Sequence, residues 1–371
     1  MKILRVTGDL YPAFVGGIAL HTHELSKMQV DLGNEVMIYT SHWGSEPDFE
    51  ERDGYTVQRF KGVKLFRFSL EPRLFVNLWS HVKDYDIVHA HSHVYCCTLF
   101  SAIIRKFKKY PLVITCHGLV SQTVPMWIQH VYHHLFGKFV FRAADCVLTY
   151  TEFERDQIVS FGVKPEKIKI IHNGIDVTKF PLDSTLQKKK QIIWVGKYVP
   201  GKGAKYIIEG FAAFSKLHPE YSLLMIGKGP EKEEMVQLIE SLSVSDKISM
   251  IEFVENEKLQ RIYQESAVFV SSSLAEGVPK VLLEAMVCGL PVISTDLPQL
   301  IDIVEDCGII VPVKDSAAIT SALEEMVSSP EKMQEYGKNS RQKVLENYDW
   351  CDTVLKTTEL FEELSSSNSK K

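Results

Sequence analysis

No apolar run in this 371-residue chain approaches the ~20 residues that a helix needs to cross a bilayer, so no helical span is expected. The strand pattern KILRVTG begins so early that no room is left for a signal peptide. None of the seven cysteines falls in a C-x-x-C spacing, and Cys96 and Cys97 are adjacent, which argues against a zinc ribbon or a secreted disulfide framework. A reducing cytosol is the expected compartment, with a soluble or peripheral protein in it. H-E-x-x-H is missing, and the glycines after the first strand do not match G-x-G-x-x-G, which removes the main support for a nicotinamide site. A strongly basic balance is also lacking: the pI is about 6.2, and nucleic acid is not an expected partner.

What is present is an uneven charge distribution over a chain with 45% hydrophobic residues. Residues 1–180 carry 21 basic against 18 acidic side chains, and the remainder 21 against 29. From Lys61 to Lys109, nine basic residues face three acids, interleaved with Phe66, Phe68, Phe75 and Trp79 just after Phe60. This stretch reads either as a surface for an anionic acceptor or membrane, or as a solvated face over a core-facing aromatic stripe.

Strand-like runs alternate with helical patterns from end to end, which predicts parallel sheets with crossover helices. Strands are expected at Lys2–Val6, Glu35–Thr40, Asp86–Ala90, Leu112–Thr115, Cys146–Thr149 and Ile168–Ile171. A second series follows at Ile192–Val195, Ser222–Ile226, Ile248–Phe253, Val268–Ser271, Pro291–Ser294 and Gly308–Val311, with helices such as Ala204–Leu217 and Glu231–Leu242 between. The expected class is α/β, with two Rossmann-like, doubly wound parallel-sheet domains facing across a cleft. Residues 1–180 form the first domain, 181–190 a linker, 191–346 the second, 347–364 a terminal helix and 365–371 a disordered tail. Ligands in such sheets bind beyond the carboxyl ends of strands.

Two glutamates stand at such an end, in VFVSSSLAEGVPKVLLEAMVCGLPVIST. Glu276 falls on the loop that Gly277 and Pro279 open, and Glu284 on a helix that Gly289-Leu290-Pro291 stops. The paired carboxylates of a glycosidase lie roughly 5 to 9.5 Å apart. A mostly helical span at about 1.5 Å per residue puts these two nearer 12 Å, too far for a hydrolytic pair. The same spacing suits a sugar at one end and a ribose at the other, with a diphosphate at the helix N-terminus between them. Two solvated glutamates are the bland alternative.

Other strand ends carry further candidates. Gly16-Gly17 opens a helix containing His21 and His23, where paired glycines let backbone approach a phosphate or simply make a turn. Lys197 and Lys202 follow the strand at Ile192 and could neutralise a diphosphate leaving group, or be ordinary surface lysines. His117 ends VITCHG, in a catalytic or a structural role. His89, His91 and His93 alternate in HAHSH, a spacing that places them on one face, but without an acidic partner they are not read as a metal site. Asp84-Tyr85-Asp86 leads into a strand and reads as structural.

Taken together, YPAFVGGIALHTHELSKMQVDLGNEV, DIVHAHSH, TCHG, KIKIIHNGIDVTKF, WVGKYVPGKG, LLMIGKGP and the two-glutamate segment give a chain that resembles glycosyltransferase family 4, the retaining group 1 transferases of GT-B fold. The resemblance implies a metal-independent hexosyltransferase moving a hexosyl or N-acetylhexosaminyl group from a nucleotide diphosphate sugar to a glycan, glycolipid or lipid-linked acceptor. It implies no cofactor, and a UDP-sugar in preference to a GDP-sugar. Glu276 would grip donor-sugar hydroxyls, Glu284 the ribose, and Lys197 and Lys202 the departing diphosphate. Gly16 and Gly17 would meet the diphosphate from the opposite domain, and His117 would position the sugar. Gly277, Val278, Pro279 and Lys280 would adjoin phosphate and sugar, and the base would rest near Phe253 and Val254. The terminal helix would return to the first domain. Lys197 stands where arginine is usual, and Pro279-Lys280 where glycine and an apolar residue are frequent. The competing functions are a sugar-nucleotide 2-epimerase of the same architecture and a non-catalytic protein that binds a nucleotide sugar.

Overall fold

The computed structural model describes residues 1–14, 16–65, 68–119, 127 and 131–369. Phe66, part of the basic-aromatic stretch, and Lys370 and Lys371 of the expected tail lie outside the described residues. The chain divides into two compact units, one comprising the described residues up to His172 together with those from Asp352 onward, the other Asn173–Cys351. Each is built on its own sheet.

In the first unit the strands are β1 (Lys2–Thr7), β2 (Glu35–Ser41), β3 (Phe49–Arg52), β4 (Tyr55–Phe60), a separate hairpin of β5 (Val63–Leu65) and β6 (Phe68–Leu70), then β7 (Ile87–His91), β8 (Leu112–Thr115), β9 (Cys146–Thr149) and β10 (Ile168–Ile170). Their order is β10-β9-β8-β7-β1-β2-β4-β3, parallel except for β3. Alternate residues of each strand serve two buried faces: Leu4, Val6, Val88 and Ile114 one, Ile3, Ile38, Ile87 and Val113 the other. Covering on both faces is why these strands read as unbroken apolar runs. The β3–β4 hairpin escaped the sequence reading because its outer strand, Phe49–Arg52, is mostly polar and exposed at the edge. Its signal was Asp53-Gly54, both at positive φ, in a two-residue turn.

The second unit holds β11 (Gln191–Val195), β12 (Ser222–Ile226), β13 (Ile248–Ile251), β14 (Val268–Ser271), β15 (Val292–Thr295) and β16 (Gly308–Val311), all parallel in the order β13-β12-β11-β14-β15-β16. In each sheet the chain leaves one strand in both directions: β1 lies between β2 and β7, and β11 between β12 and β14. That reversal opens a crevice at the carboxyl ends of those strands.

Three boundaries differ from expectation. Residues 181–190 are no linker but part of the second unit, strapped to the helix Asn256–Glu265. Pro181 O accepts from Gln260 and Gln264 at 2.8 and 2.9 Å, and Asp183 N donates to Gln264 at 2.8 Å. The first unit ends at His172 rather than residue 180. The last helix spans Trp350–Ser369, so the expected disordered tail is helical through Ser369. Ser365 and Ser367 hydroxyls fold back onto the carbonyls of Glu362 and Glu363, so their polar side chains are satisfied within the helix. In the first unit this helix buries Phe361, and its Thr358 hydroxyl accepts from Gln29 at 3.0 Å.

Candidate active site

In the second unit the candidate residues gather where β11 and β14 end. Beyond β11 the chain makes a short turn, Pro200–Lys202, and Gly203 takes φ +61° before the helix Ala204–Leu217. A Cβ at Gly203 would lie 2.1 Å from Ser272 O, so only glycine allows this close approach to the end of β14. Several hydrogen bonds then tie the two loops together. Trp194 Nε1 donates to the Ser272 hydroxyl at 3.2 Å, that hydroxyl donates to Lys202 O at 3.1 Å, and Leu274 N donates to Gly201 O at 2.8 Å. The outcome is an ion pair in which the Lys202 ammonium donates to Glu276 Oε1, both side chains largely buried. Burial, then the nearby charge of Lys197, pushes Lys202 down to about 8.

Glu276 is held from two further sides. Ser273 hydroxyl donates to Oε1 at 3.2 Å, and the Gln299 side-chain amide donates to the Glu276 carbonyl. Ser273 and Gln299 were missed in the sequence: one is a serine in a run of three, and the other lies 23 residues downstream on the next crossover helix. Pro279 caps the helix Lys280–Val287 without any side-chain hydrogen bond. Of the eight residues from Gly277 to Glu284, the last five are helical, which is the mostly helical span expected. Burial raises Glu284 above the usual carboxylate range, with Lys280 opposing the shift. Lys280 Nζ lies 5.6 Å from the Trp350 ring centroid. Lys197 is exposed, Phe253 is 77% exposed beyond β13, and Val254 packs partly against the core.

Gly277, like Gly16 and Gly17 in the first unit, has a property that Gly203 lacks. An added Cβ at any of the three meets nothing within 4 Å, and none has a positive φ. The fold does not require glycine there.

In the first unit the candidate His117 sits beyond β8, half-buried. Its Nδ1 is 2.9 Å from the Tyr150 hydroxyl and its Nε2 is 2.9 Å from His91 Nδ1. Tyr150 is in turn placed by a helix start: Thr151 caps Glu152–Ser160 by accepting from Glu154 N, and the Glu154 carboxylate accepts from Tyr150 N at 2.8 Å. His91 is fully buried, and its Nε2 makes no hydrogen bond. Burial, then the charges of His89, His117 and Arg5, hold it well below the usual imidazole range, so it is neutral near pH 7.

His89, His91 and His93 do not share one face as expected. His89 and His91 do, with ring centroids 4.2 Å apart, but Ser92 takes φ +60° and sends His93 off to His133, 2.9 Å between the Nε2 atoms. Among the described residues, His21, His91 and His117 offer potential ligand atoms within 4.8 Å of one another. Asp86 is structural, its carboxylate accepting from Lys2 N at 2.6 Å.

Models of two families match the chain, "Glycosyltransferase Family 4" over residues 15–179 and "Glycosyl transferases group 1" over 176–343. The chain belongs to glycosyltransferase family 4. Over 96% of its length this group 1 glycosyltransferase is 25% identical to an uncharacterized glycosyltransferase of Methanocaldococcus jannaschii, 97% of which is covered. It is 24% identical to a component of the phosphatidylinositol N-acetylglucosaminyltransferase of Arabidopsis thaliana, across 97% of this chain and 81% of that one. The structure of Anabaena HepE in complex with UDP-glucose superposes with a TM-score of 0.77 at 18% identity, covering 99% and 100% of the two chains. The fold is GT-B, two parallel-sheet α/β domains.

Proposed function

We propose that this glycosyltransferase transfers a hexosyl group from a UDP-sugar with retention of configuration and without a metal ion. The observation that carries the reading is the Lys202–Glu276 pair at the end of β14, next to a glycine the fold does not need and a helix N-terminus with no side-chain cap. Open space at Gly277 is room for a phosphate, and the first N–H groups of Lys280–Val287 favour its charge. Lys202, with Lys197 behind it, stabilises the charge that develops on the departing diphosphate, and Glu276 holds the sugar hydroxyls. Glu284 binds the ribose, and Phe253 and Val254 adjoin the base. Gly16, Gly17 and His117 are the first unit's candidate ligand-binding residues. Front-face attack is the reading for retention, the leaving phosphate taking the acceptor proton. The UDP-glucose complex of Anabaena HepE supports uridine over guanosine.

A glycolipid or lipid-linked acceptor is the reading for the other substrate, supported by a relative named as a phosphatidylinositol N-acetylglucosaminyltransferase subunit. The helices Pro72–His81 and Cys96–Phe107 expose Val76, Trp79 and Phe107, and Lys108 lies 5.0 Å over the Trp79 ring. That mixture suits the cytoplasmic face of an anionic membrane. Of the remaining aromatics in the stretch, Phe60 is buried and Phe75 packs against Phe100.

The test is UDP release from a panel of UDP-sugars with lipid-linked acceptors, in chelator, with product anomers assigned by NMR. An α-linked product from an α-linked donor supports the proposal. An epimerised nucleotide sugar formed from donor alone would replace it with an isomerase.

A further inference from the structure

A cavity of about 730 Å³ in the second unit is lined by none of the residues just described. It lies at the opposite ends of the strands, where Ala267 leads into β14 and Pro291 into β15. The helix Pro330–Asn347 turns one face towards it from Pro330 to Leu345, residues 182–188 make the facing wall, and Cys288 and Gly289 lie between. Its size is that of a small-molecule site.

Two features of the lining define a ligand. The first is aliphatic character: Leu182, Leu186, Met333 and Leu345 line it, and no aromatic side chain does, so a nucleobase would find no ring to stack on. The second is uncompensated positive charge. Lys188, Lys338 and Arg341 line the cavity, and none forms an ion pair with a carboxylate among the described residues. Arg341 Nη1 donates to the carbonyls of Phe180 and Val287, which fixes the guanidinium without neutralising it. The single acid of the lining, Asp183, is committed to the amide and hydroxyl of Thr185 at 2.9 and 2.6 Å. Burial and then the Glu284 charge push the Cys288 thiol up, and Lys188 and Arg341 oppose the shift, so both cations stand towards the Cys288 end of the cavity, where Arg341 reaches Val287 O. Lys188 is exposed as a residue, and packing of protein around its ammonium lowers it to about 8.

We propose that this cavity is an effector site for an amphipathic anion, its aliphatic chain against the helix Pro330–Asn347 and its carboxylate or phosphate head between Lys188 and Arg341. The site has a physical route to the donor side. Cys288 N donates to Glu284 O at 3.3 Å, one helical turn from the side chain assigned to the ribose. Gly337 meets Gly289 so closely that a Cβ would lie 2.5 Å from Gly289 O, so the cavity helix and the end of the donor helix shift together. The coupling rests on the UDP-sugar reading; binding in the cavity does not.

Calorimetric titration of the full chain with decanoate, decyl phosphate and neutral decanol, all below micelle formation, tests both parts. The expected result is one saturable site for at least one anion, ten-fold or more weaker for decanol and for a Lys188→Glu/Lys338→Glu variant. With the anion bound, UDP affinity shifts two-fold or more in the wild type and not in the variant. A Leu345→Trp variant, filling the space without touching the charges, loses the anion as well. No saturable anion binding, equal affinity for decanol, or full affinity in the charge-reversed variant overturns the site. Anion binding with unchanged UDP affinity overturns the effector role, and failure of UDP to bind without the anion counts against the donor reading instead.

Discussion

Lys202 and Glu276 form one contact, yet they are asked to act on different parts of a donor. A bound diphosphate would draw Lys202 from the carboxylate it holds here, which leaves Glu276 for the sugar. Removing one preorganised charge of this kind costs on the order of 100-fold in kcat, and that is the expected loss for Lys202→Ala in steady-state assays. A variant that turns over near the wild-type rate would remove Lys202 from the mechanism. Two glycines give a sharper contrast. Gly203→Ala must move the Ser272 carbonyl and adopt φ +61°, so denaturant melts should show a loss of about 2 kcal/mol or more. Gly277→Ala meets open space, so its melt should stay within about 0.5 kcal/mol of wild type while UDP-sugar affinity falls ten-fold or more. Unchanged donor affinity in Gly277→Ala would mean that nothing approaches this backbone.

Elements decide where these side chains stand. Thr151 and Glu154 start the helix that places Tyr150 beside His117, and losing that cap in Thr151→Ala should cost about 1 kcal/mol. Burial raises the Glu154 carboxyl from 4.5 to about 7. Because the folded value exceeds the unfolded one, the stabilising contribution is complete below pH 4.5 and is lost as pH rises through 7. The swing is at most about 3 kcal/mol. Urea midpoints at pH 5 and pH 8 should differ less in Glu154→Gln than in wild type, and an equal difference would contradict the assignment. On the outer helices, Trp79→Ala/Phe107→Ala should cut co-sedimentation with anionic vesicles several-fold, and equal recovery of both proteins would exclude this face as the docking surface. Strands were most legible where burial on both sides makes their apolar runs continuous, and the twelve expected strands fall within about two residues of the observed ones. The polar edge strand β3 had no such run. His93 defeated the period-two reading because Ser92 leaves the strand conformation, a change that nothing in HAHSH signals.

At the scale of the whole chain, two sheets of the same design each place their candidate residues beyond the carboxyl ends of their strands. Pattern reading found those strand ends but not what fixes them: Ser272, Ser273 and Gln299 act through hydrogen bonds formed only once β11, β14 and β15 are adjacent. The polar segment at 181–190 misled for a similar reason, since its partners on Asn256–Glu265 are some 80 residues away in sequence. The central claim is that the strand ends of the second unit bind a uridine diphosphate donor through Glu284, Gly277 and the lysines. Calorimetric titration of UDP into wild type and Glu284→Ala tests it most directly. One saturable site, weakened ten-fold or more in the variant and without comparable affinity for GDP, is the predicted result; no UDP binding, or equal binding in Glu284→Ala, would contradict the claim.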